Sequence, residues 1–401
     1  MLDSNLEDDM SDPTKKVSLV ASGQRRTILK AIGAGAGAAL GPAFAFAQAQ
    51  QEPIKIGAVV SLAGPGAGLG QPERNGILLA EKVINAKGGV RGRPIRVLVE
   101  DDGSKPDLAK SKAEALIFTE KVVAMIGPSL TASTGAIAAI TNNEKMAQVT
   151  FTGLGPPIEK TYKMLYHVLP PQSLNAQAML EYATKGLNAK RIGVLHDTGY
   201  GQAVMASLRE NSGPYGIEYV SIERFEVGAT DVSAQAAKVR AANPEVVFVV
   251  ATSPVPFRNA RQMRITQPIV SAIGSASYDY VRGMGEFADE IVFPEFLVGE
   301  DPLPRQKEFV DLYRKEYNAL PKNFEAAGWD SVHIVAAALE KVGADATRTA
   351  IADAIRGPHE GVLAKYDFAE PDMTGIDLSS YVFSKLVKGQ FTRLPFTIKG
   401  K

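Results

Sequence analysis

The chain contains 401 residues, with 44 basic and 44 acidic side chains and no cysteine. The balanced charge argues against a nucleic acid or an anionic membrane surface as a partner. Without cysteine the chain has no disulfide, no cysteine nucleophile and no cysteine for lipid attachment. At roughly 100–200 residues per domain, the length predicts two domains, each with a substantial core.

An export signal is predicted over residues 1–47. Arg25 and Arg26 form a twin-arginine stretch, an apolar run of small residues follows, and Ala45-Phe46-Ala47 fits the pattern that a signal peptidase recognises. The run is shorter than the roughly 20 apolar residues of a spanning helix, which disfavours an uncleaved anchor. We therefore expect a mature protein that begins near Gln48 and works in the periplasm, without insertion into the membrane.

Strands and helices alternate along the chain after residue 50. Strands separated by single helices are typical of doubly wound parallel sheets, and this rhythm occurs twice, over 54–170 and 173–295, so we predict two α/β lobes. The predicted strands are 54–61, 95–99, 122–126, 191–195, 218–224 and 245–250. The predicted helices are 72–86, 105–120, 132–142, 201–211, 232–241, 305–317 and 324–342, and a last hairpin joins 380–386 to 391–392.

Three stretches rich in turn-forming residues are predicted to carry the chain between the lobes. They are Leu169-Pro170-Pro171, Glu300-Asp301-Pro302-Leu303-Pro304 and 367–377. Three such crossings would form a hinge. We expect the first lobe to comprise 53–171 with 302–377, and the second lobe to comprise 172–301 with 378–397.

A glycine-rich segment, Gly64-Pro65-Gly66-Ala67-Gly68-Leu69-Gly70, follows the first predicted strand. A nucleotide-binding loop would occupy this place. The segment lacks the spacing of the dinucleotide fingerprint and the Gly-Lys-Ser/Thr ending of a phosphate loop. A flexible turn that faces a ligand is therefore the better interpretation, since loops at strand ends line the crevice of such sheets.

A hydroxyl-rich segment from Gly127 to Thr134 follows the strand at 122–126 and begins a helix. Hydroxyls and unpaired N–H groups at a helix N-terminus can bind an anion. The same residues can instead serve only to cap the helix. Their density at a strand end that faces the crevice favours a carboxylate site.

Catalytic and metal-binding patterns are absent from the sequence. His196 and Asp197 follow one another on a predicted strand, so their side chains point to opposite faces. The four histidines have no metal-site spacing, and there is no nucleophile elbow. The single Trp329 lies on an apolar helix and is interpreted as core. We expect no catalytic residue, no metal and no cofactor.

Several short segments, taken in their order and spacing, carry a resemblance. They are Ile54-Lys55-Ile56-Gly57, Gly64-Pro65, the turn from Ile84 to Val90 with Gly92, Glu100-Asp101-Asp102, 126–134, 196–201 and Gly328-Trp329-Asp330. Together they resemble the type I periplasmic binding proteins of the branched-chain amino-acid transport family. The resemblance covers nearly the whole mature chain. It implies two doubly wound α/β lobes, joined by a three-stranded hinge, that close on a small solute and deliver it to an ABC permease. We expect a monomer.

The resemblance also implies ligand-binding residues. Hydroxyls after the third strand would hold a ligand carboxylate, and Thr131 takes this role with Ser129 and Ser133 beside it. Tyr200 would close over the ligand from the second lobe. The other implied positions are Leu69 in the first glycine-rich segment, Thr152, Gly153 and Leu154 after the next strand, and Thr252, Gly274 and Ser275 in the second lobe.

Two departures from the family pattern bear on the ligand. Gly274 stands at the position of the acidic residue that pairs the ammonium group of an amino acid, and Thr252 replaces a tyrosine. An ammonium buried without a counter-charge costs several kcal/mol. Small residues would also enlarge the cavity. We therefore predict a carboxylate without an α-ammonium group and with a bulky apolar or aromatic body, such as an aromatic acid or an aromatic 2-oxo acid.

Three alternatives stay open. A branched-chain or aromatic amino acid is the ligand if the alignment is out by a few residues, in which case Asp279 supplies the missing acid. A soluble ligand-sensing module for a membrane receptor would use the same lobes. A periplasmic enzyme is the third, because twin-arginine export often carries cofactor-loaded enzymes.

Overall fold

The computed structural model describes residues 52–154, 161–369 and 374–399, and the predicted export signal lies outside them. The strands are β1 Ile54–Val60, β2 Ile95–Asp101, β3 Met125–Ile126, β4 Gln148–Thr150, β5 Leu165–His167, β6 Arg191–Asp197, β7 Glu218–Phe225, β8 Val246–Val250, β9 Ile269–Ser271, β10 Ile291–Glu295, β11 Pro358–Glu360, β12 Lys365–Asp367, β13 Val382–Val387 and β14 Gln390–Leu394. The helices are α1 Ala67–Ala86, α2 Pro106–Glu114, α3 Thr131–Asn143, α4 Gln172–Glu181, α5 Tyr200–Asn211, α6 Ser233–Ala241, α7 Val255–Gln262, α8 Tyr278–Met284, α9 Lys307–Tyr317, α10 Asn323–Val342 and α11 Arg348–Ile355.

The strands form two main sheets, one in each α/β lobe. The first has the order β2-β1-β3-β4-β5, and all its pairs are parallel. The second has the order β14-β13-β10-β9-β8-β6-β7, in which only β13 and β14 run antiparallel to their neighbours. The predicted fold class of two doubly wound lobes is confirmed. The hairpin of β11 and β12 is a separate small sheet.

Burial on both faces explains the apolar strands. All five residues of β8 are buried. In β1, Ile56, Ala58 and Val60 belong to the main hydrophobic core, whereas Val59 belongs to a second cluster on the opposite face. Parallel strands covered by helices on both sides require such nearly continuous apolar runs.

The chain passes between the two sheets three times. Residues 168–171 lead from β5 to α4 and onward to β6, and residues 296–306 lead back from β10 to the helices α9 to α11. These helices pack on the first lobe, where the Tyr166 hydroxyl donates to the carbonyl of Ala352 at 2.7 Å. After β12 the chain returns to the second sheet at β13. The lobe boundaries given above remain a prediction.

A buried ion pair fixes the second of these crossings. Lys322, before α10, pairs with Glu295 at the end of β10, and neither side chain is more than 1% exposed. Lys322 Nζ also lies 3.2 Å from the centroid of the Phe391 ring. Burial raises the pKa of Glu295 and lowers that of Lys322, and their mutual attraction opposes both shifts. Removal of one partner would leave the other as a buried charge without a counter-charge.

The helix α1 begins earlier than the sequence predicts. The glycine-rich segment forms its first turns from Ala67, so the expected flexible turn is wrong for residues 67–70. A Cβ atom on Gly70 would lie 2.1 Å from the carbonyl oxygen of Ser61, at the end of β1. Glycine is therefore required here because the helix starts directly against the strand backbone.

The helices α1 and α10 also contact each other through glycine. A Cβ atom on Gly76 would lie 1.8 Å from the carbonyl oxygen of Glu325, and one on Gly328 would lie 2.1 Å from that of Glu73. The two 20-residue helices therefore touch at their backbones. This contact places Glu73 and Phe324 beside the cavity described below.

Because this backbone contact leaves no room for a methyl group, Gly328→Ala should destabilise the protein by about 1–3 kcal/mol, the usual effect of overpacking. Urea unfolding of the two proteins measures the difference. Gly135→Ala in α3 is the matched control, since the nearest atom there is a leucine methyl at 3.4 Å. Alanine should stabilise that helix by up to about 1 kcal/mol. Equal stabilities for the two variants would contradict the packing described here.

Candidate ligand-binding site

A cavity lies where the carboxyl ends of strands from both sheets face each other, which is the usual ligand position in open α/β sheets. Its volume is about 30 Å³, room for about two water molecules. Seven of the predicted residues line it: Leu69, Ser129, Thr131, Thr152, Tyr200, Thr252 and Gly274. Eight others that the sequence did not indicate complete the lining: Leu130, Phe151, Leu169, Pro170, Gln172, Asn175, Ile273 and Phe324.

Four predicted residues do not line the cavity. Ser133 is fully buried in α3, and Gly153 and Leu154 follow Thr152 away from the lining. Ser275 is 1% exposed, and its hydroxyl donates to the carbonyl of Ala251, so it holds two loops of the second lobe together. A direct role of these four residues in ligand binding stays a prediction.

Two threonine hydroxyls meet on the first-lobe side of the cavity. Thr131 Oγ1 lies 3.0 Å from Thr152 Oγ1. Thr131 is the first residue of α3, a helix of 13 residues, so the unpaired N–H groups of its first turn lie nearby. Two hydroxyls at the positive end of a helix suit a ligand group that accepts hydrogen bonds.

Ser129 lines the cavity, but its hydroxyl forms hydrogen bonds to groups outside the lining. Its hydroxyl accepts a hydrogen bond from the Ser61 N–H at 2.9 Å and donates to the carboxyl group of Glu73. Glu73 is fully buried, and burial raises its pKa to about 8, with a further contribution from the nearby carboxylates of Asp102 and Glu325. Ser129 therefore links α1 to the loop after β3, and its proton is not available to a ligand.

The ring of Tyr200 fills the space that Gly274 leaves. A Cβ atom on Gly274 would lie 2.8 Å from Tyr200 Cε1, and the Gly274 N–H donates to the Tyr200 hydroxyl at 3.4 Å. The expectation that glycine enlarges the cavity is therefore wrong. Glycine is needed here so that the tyrosine ring can lie against the backbone.

Asp197 holds the second-lobe loops in place. Its carboxylate accepts hydrogen bonds from the N–H groups of Gly199 at 2.9 Å, Gly201 at 2.7 Å and Thr252 at 3.2 Å. Burial raises the pKa of Asp197, and these three bonds lower it. The carboxylate therefore positions the start of α5 and the loop after β8.

The described residues that line the cavity carry no charged side chain. Asp279, considered above as a partner for an ammonium group, lies on α8 outside the lining, where it is 40% exposed and paired with Arg282. Among the residues that the structure describes, no carboxylate therefore lines the cavity.

Two buried amides, Gln172 and Asn175, form the hinge side of the cavity. Gln172 Nε2 donates to Thr152 Oγ1 at 3.3 Å, and Asn175 Nδ2 donates to Gln172 Oε1 at 3.2 Å. Both residues are 1% exposed. Nothing in the local sequence distinguishes them from other polar residues in the first turn of a helix, so only their position in the fold identifies them.

The lobes also contact each other next to the cavity-lining residue Leu69. Pro72, inside α1, has no N–H to donate to the carbonyl four residues earlier, so the oxygen of Gly68 is free of the helix. The Ser277 hydroxyl of the second lobe donates to this oxygen at 3.2 Å. The Tyr280 hydroxyl donates to the carbonyl of Pro65, also at 3.2 Å. These bonds hold the lobes in a closed arrangement.

Residues 52–154, 161–369 and 374–399 contain no group of three or more histidine or acidic side chains arranged to hold a metal ion. None of their helices is long and apolar enough to cross a membrane.

Two α/β lobes that enclose a cavity between facing strand ends define a solute-binding protein that closes on its ligand. The family model described as periplasmic binding protein matches residues 53–381, and the chain belongs to this family. The fold and the relatives below are those of substrate-binding proteins of the Leu/Ile/Val-binding type.

Relatives and solved structures agree with this family. The chain is 25% identical to an amino acid binding protein of Pseudomonas aeruginosa, over 84% of this chain and 92% of the relative. It is 23% identical to the leucine-, isoleucine-, valine-, threonine-, and alanine-binding protein of the same organism, over 83% and 90%. The structure of the branched-chain amino acid transporter substrate binding protein LivJ from Streptococcus pneumoniae, in complex with isoleucine, matches with a TM-score of 0.77 at 26% identity. That match covers 86% of this chain and 100% of LivJ.

The raised pKa of Glu73 predicts a pH-dependent stability. The carboxyl group, whose pKa is about 8, is protonated in the folded protein up to about that pH, whereas in the unfolded chain it ionises near its usual pKa of 4.5. Folding therefore binds a proton at Glu73 between these two pH values. The contribution of this group to the free energy of unfolding falls by about 1.4 kcal/mol for each pH unit as the pH rises.

Glu73→Gln keeps an acceptor for Ser129 but cannot ionise. Its free energy of unfolding, relative to the wild type, should therefore increase from pH 5 to pH 8 in urea titrations. Glu114→Gln, on an exposed position of α2, makes the same chemical change at the surface as a control. Parallel pH profiles for wild type and Glu73→Gln would show that Glu73 is not buried as described.

Proposed function

We propose that this protein is the periplasmic component of an ABC importer and that it binds a small carboxylate without an α-ammonium group. Its preferred ligands are aromatic acids and 2-oxo acids with an apolar or aromatic body. The observation that carries this proposal is the cavity lining, in which the described side chains are apolar, hydroxyl or amide groups and none is charged.

Each end of such a ligand has a partner in the cavity. The hydroxyls of Thr131 and Thr152, at the N-terminus of α3, suit the carboxylate. Phe151, Ile273 and Phe324 offer an apolar surface for the body of the ligand. An ammonium group at the neighbouring carbon would be buried without a counter-charge, at a cost of several kcal/mol.

Binding requires the lobes to separate first. A volume of about 30 Å³ does not accommodate a ligand of this size. The hydrogen bonds from Ser277 and Tyr280 to backbone carbonyls of the first lobe are neutral. Each such bond contributes about 0.5–1.5 kcal/mol, so an open form is accessible and the ligand determines the position of the equilibrium.

A branched-chain amino acid is the second candidate ligand. It is favoured by the names of the relatives, which include two amino acid binding proteins, and by the isoleucine bound to LivJ. The ammonium group would then have to be held by backbone carbonyls and by the hydroxyl of Tyr200 or Thr252, without a carboxylate.

Partners and export complete the proposal. A closed form that differs in surface from the open form suits recognition by the transmembrane subunits of a permease. Arg25 and Arg26 support export through the twin-arginine route, with cleavage near Gln48. We propose that the mature protein acts as a monomer.

Matched pairs of ligands test the proposed class. 4-Methyl-2-oxopentanoate and leucine share their body and carboxylate and differ at the second carbon, as do phenylpyruvate and phenylalanine. A ligand at 100 times its dissociation constant adds about 2.7 kcal/mol of stability, which thermal unfolding detects. We expect stabilisation by the oxo acids and none by the amino acids. Stabilisation by the amino acids alone would overturn the proposed ligand class in favour of the second candidate.

Thr131→Val tests the carboxylate anchor, because it removes the hydroxyl and preserves the shape of the side chain. It should weaken binding of the stabilising ligand by about 1–3 kcal/mol, the contribution of a hydrogen bond to a charged group. Isothermal calorimetry measures the loss. Thr141→Val removes a buried hydroxyl from the same helix, where it bonds to Gln148 at 2.8 Å, and should leave affinity unchanged. Unchanged affinity in Thr131→Val would place the carboxylate elsewhere.

A further inference from the structure

A series of hydrogen bonds runs from the hinge to the cavity. The Tyr381 hydroxyl donates to Asn175 Oδ1 at 2.8 Å, and Asn175 Nδ2 donates to Gln172 Oε1 at 3.2 Å. Gln172 Nε2 then donates to Thr152 Oγ1 at 3.3 Å, which lies 3.0 Å from Thr131 Oγ1. Each of the three links before the threonines has its donor on the hinge side.

The series includes residues at two of the crossings between the lobes. Tyr381 ends the segment that returns the chain to β13, and Gln172 begins α4 directly after the first crossing. Tyr381, Gln172 and Asn175 are each 1% exposed, so water does not compete for their bonds. Burial also raises the pKa of Tyr381 well above its usual value, which keeps the proton on its hydroxyl.

The direction of the series determines what the threonines offer to a ligand. A side-chain amide has an acceptor on one side and donors on the other. The orientation of one amide therefore determines the orientation of the next amide that bonds to it. With Tyr381 as the first donor, the oxygen of Thr152 accepts from Gln172. The proton of Thr152 must then point toward Thr131 or toward the ligand, and the two hydroxyls, which bond to each other at 3.0 Å, leave at least one proton for the cavity.

We propose that Tyr381, Asn175 and Gln172 are positioning residues that hold Thr152 and Thr131 as donors, so that the cavity selects an ionised carboxylate over the corresponding neutral amide. A carboxylate offers only acceptors to these donors, whereas the NH₂ group of an amide offers further donors. Mismatched polar groups of this kind give strong discrimination in a buried site. The inference rests on the proposed carboxylate anchor, but it is independent of the group on the second carbon of the ligand.

Tyr381→Phe tests the inference, because it removes only the first donor and lies outside the cavity lining. Calorimetry compares 4-methyl-2-oxopentanoate with 4-methyl-2-oxopentanamide for the wild type and the variant. We expect the wild type to prefer the acid, and we expect the variant to bind the acid about tenfold more weakly, because its amides can turn. The affinity for the amide should change much less, so the preference for the acid shrinks.

Tyr166→Phe is the matched control. It removes an equally buried tyrosine hydroxyl, which donates to Ala352 at 2.7 Å in the first lobe, away from the series. It should leave the preference for the acid intact, even where it lowers the melting temperature. Gln172→Met, which breaks the series at its last amide, should reduce the preference as Tyr381→Phe does. An unchanged preference in Tyr381→Phe, or an equal loss in Tyr166→Phe, would overturn the inference.

The same design separates this inference from the proposed ligand class. If the wild type binds leucine and not the oxo acid, the proposed class is wrong, and the comparison is made with leucine and leucinamide. A preference for leucine that shrinks in Tyr381→Phe would then support the positioning role. Equal binding of leucine and leucinamide by the wild type would overturn it.

Discussion

Buried carboxyl groups hold the loops that form the ligand cavity, and they do so without facing the ligand. Asp197 accepts three backbone hydrogen bonds, among them those of Gly201 and Thr252, and Glu73 accepts a hydrogen bond from the Ser129 hydroxyl. A buried polar group is tolerated when its hydrogen bonds are satisfied, and these bonds make the loops rigid. The cavity is therefore lined by hydroxyl groups in fixed positions, while the carboxyl groups that hold them lie outside its lining.

This arrangement separates recognition from closure. In the proposed mechanism, recognition depends on the rigid loops, whereas closure depends on contacts between donors of the second lobe and free carbonyls of the first. Pro72 supplies one of these carbonyls, because it leaves the oxygen of Gly68 for Ser277. Neutral bonds of this kind contribute about 0.5–1.5 kcal/mol each, so we expect a small ligand to be able to shift the equilibrium between the two arrangements. The ion pair of Lys322 and Glu295 meanwhile joins the end of β10 to the start of α10, on either side of the second crossing.

The alternation of strands and helices predicted both lobes, because a strand covered on two faces must be apolar along its length, as β8 is. The hydroxyl-rich segment around Thr131 was also predictable, since it begins a helix after a strand end, whereas Tyr200 was indicated only by the family resemblance. Long-range contacts were not predictable. Glu73 lies 56 residues before Ser129 and meets it only in the folded protein. The ring of Tyr200 reaches Gly274 in the same way, which is why the predicted enlargement of the cavity fails.

A crystal structure of the protein with 4-methyl-2-oxopentanoate tests the central claim, that the cavity holds a carboxylate with hydroxyl groups and without a charged partner. The account predicts carboxylate oxygens within about 3 Å of Thr131 Oγ1 and Thr152 Oγ1. It also predicts that the second carbon of the ligand faces Tyr200 and Gly274, away from any acidic side chain. A carboxylate bound by an arginine or lysine, or a ligand whose second carbon lies against an aspartate or glutamate, would contradict it.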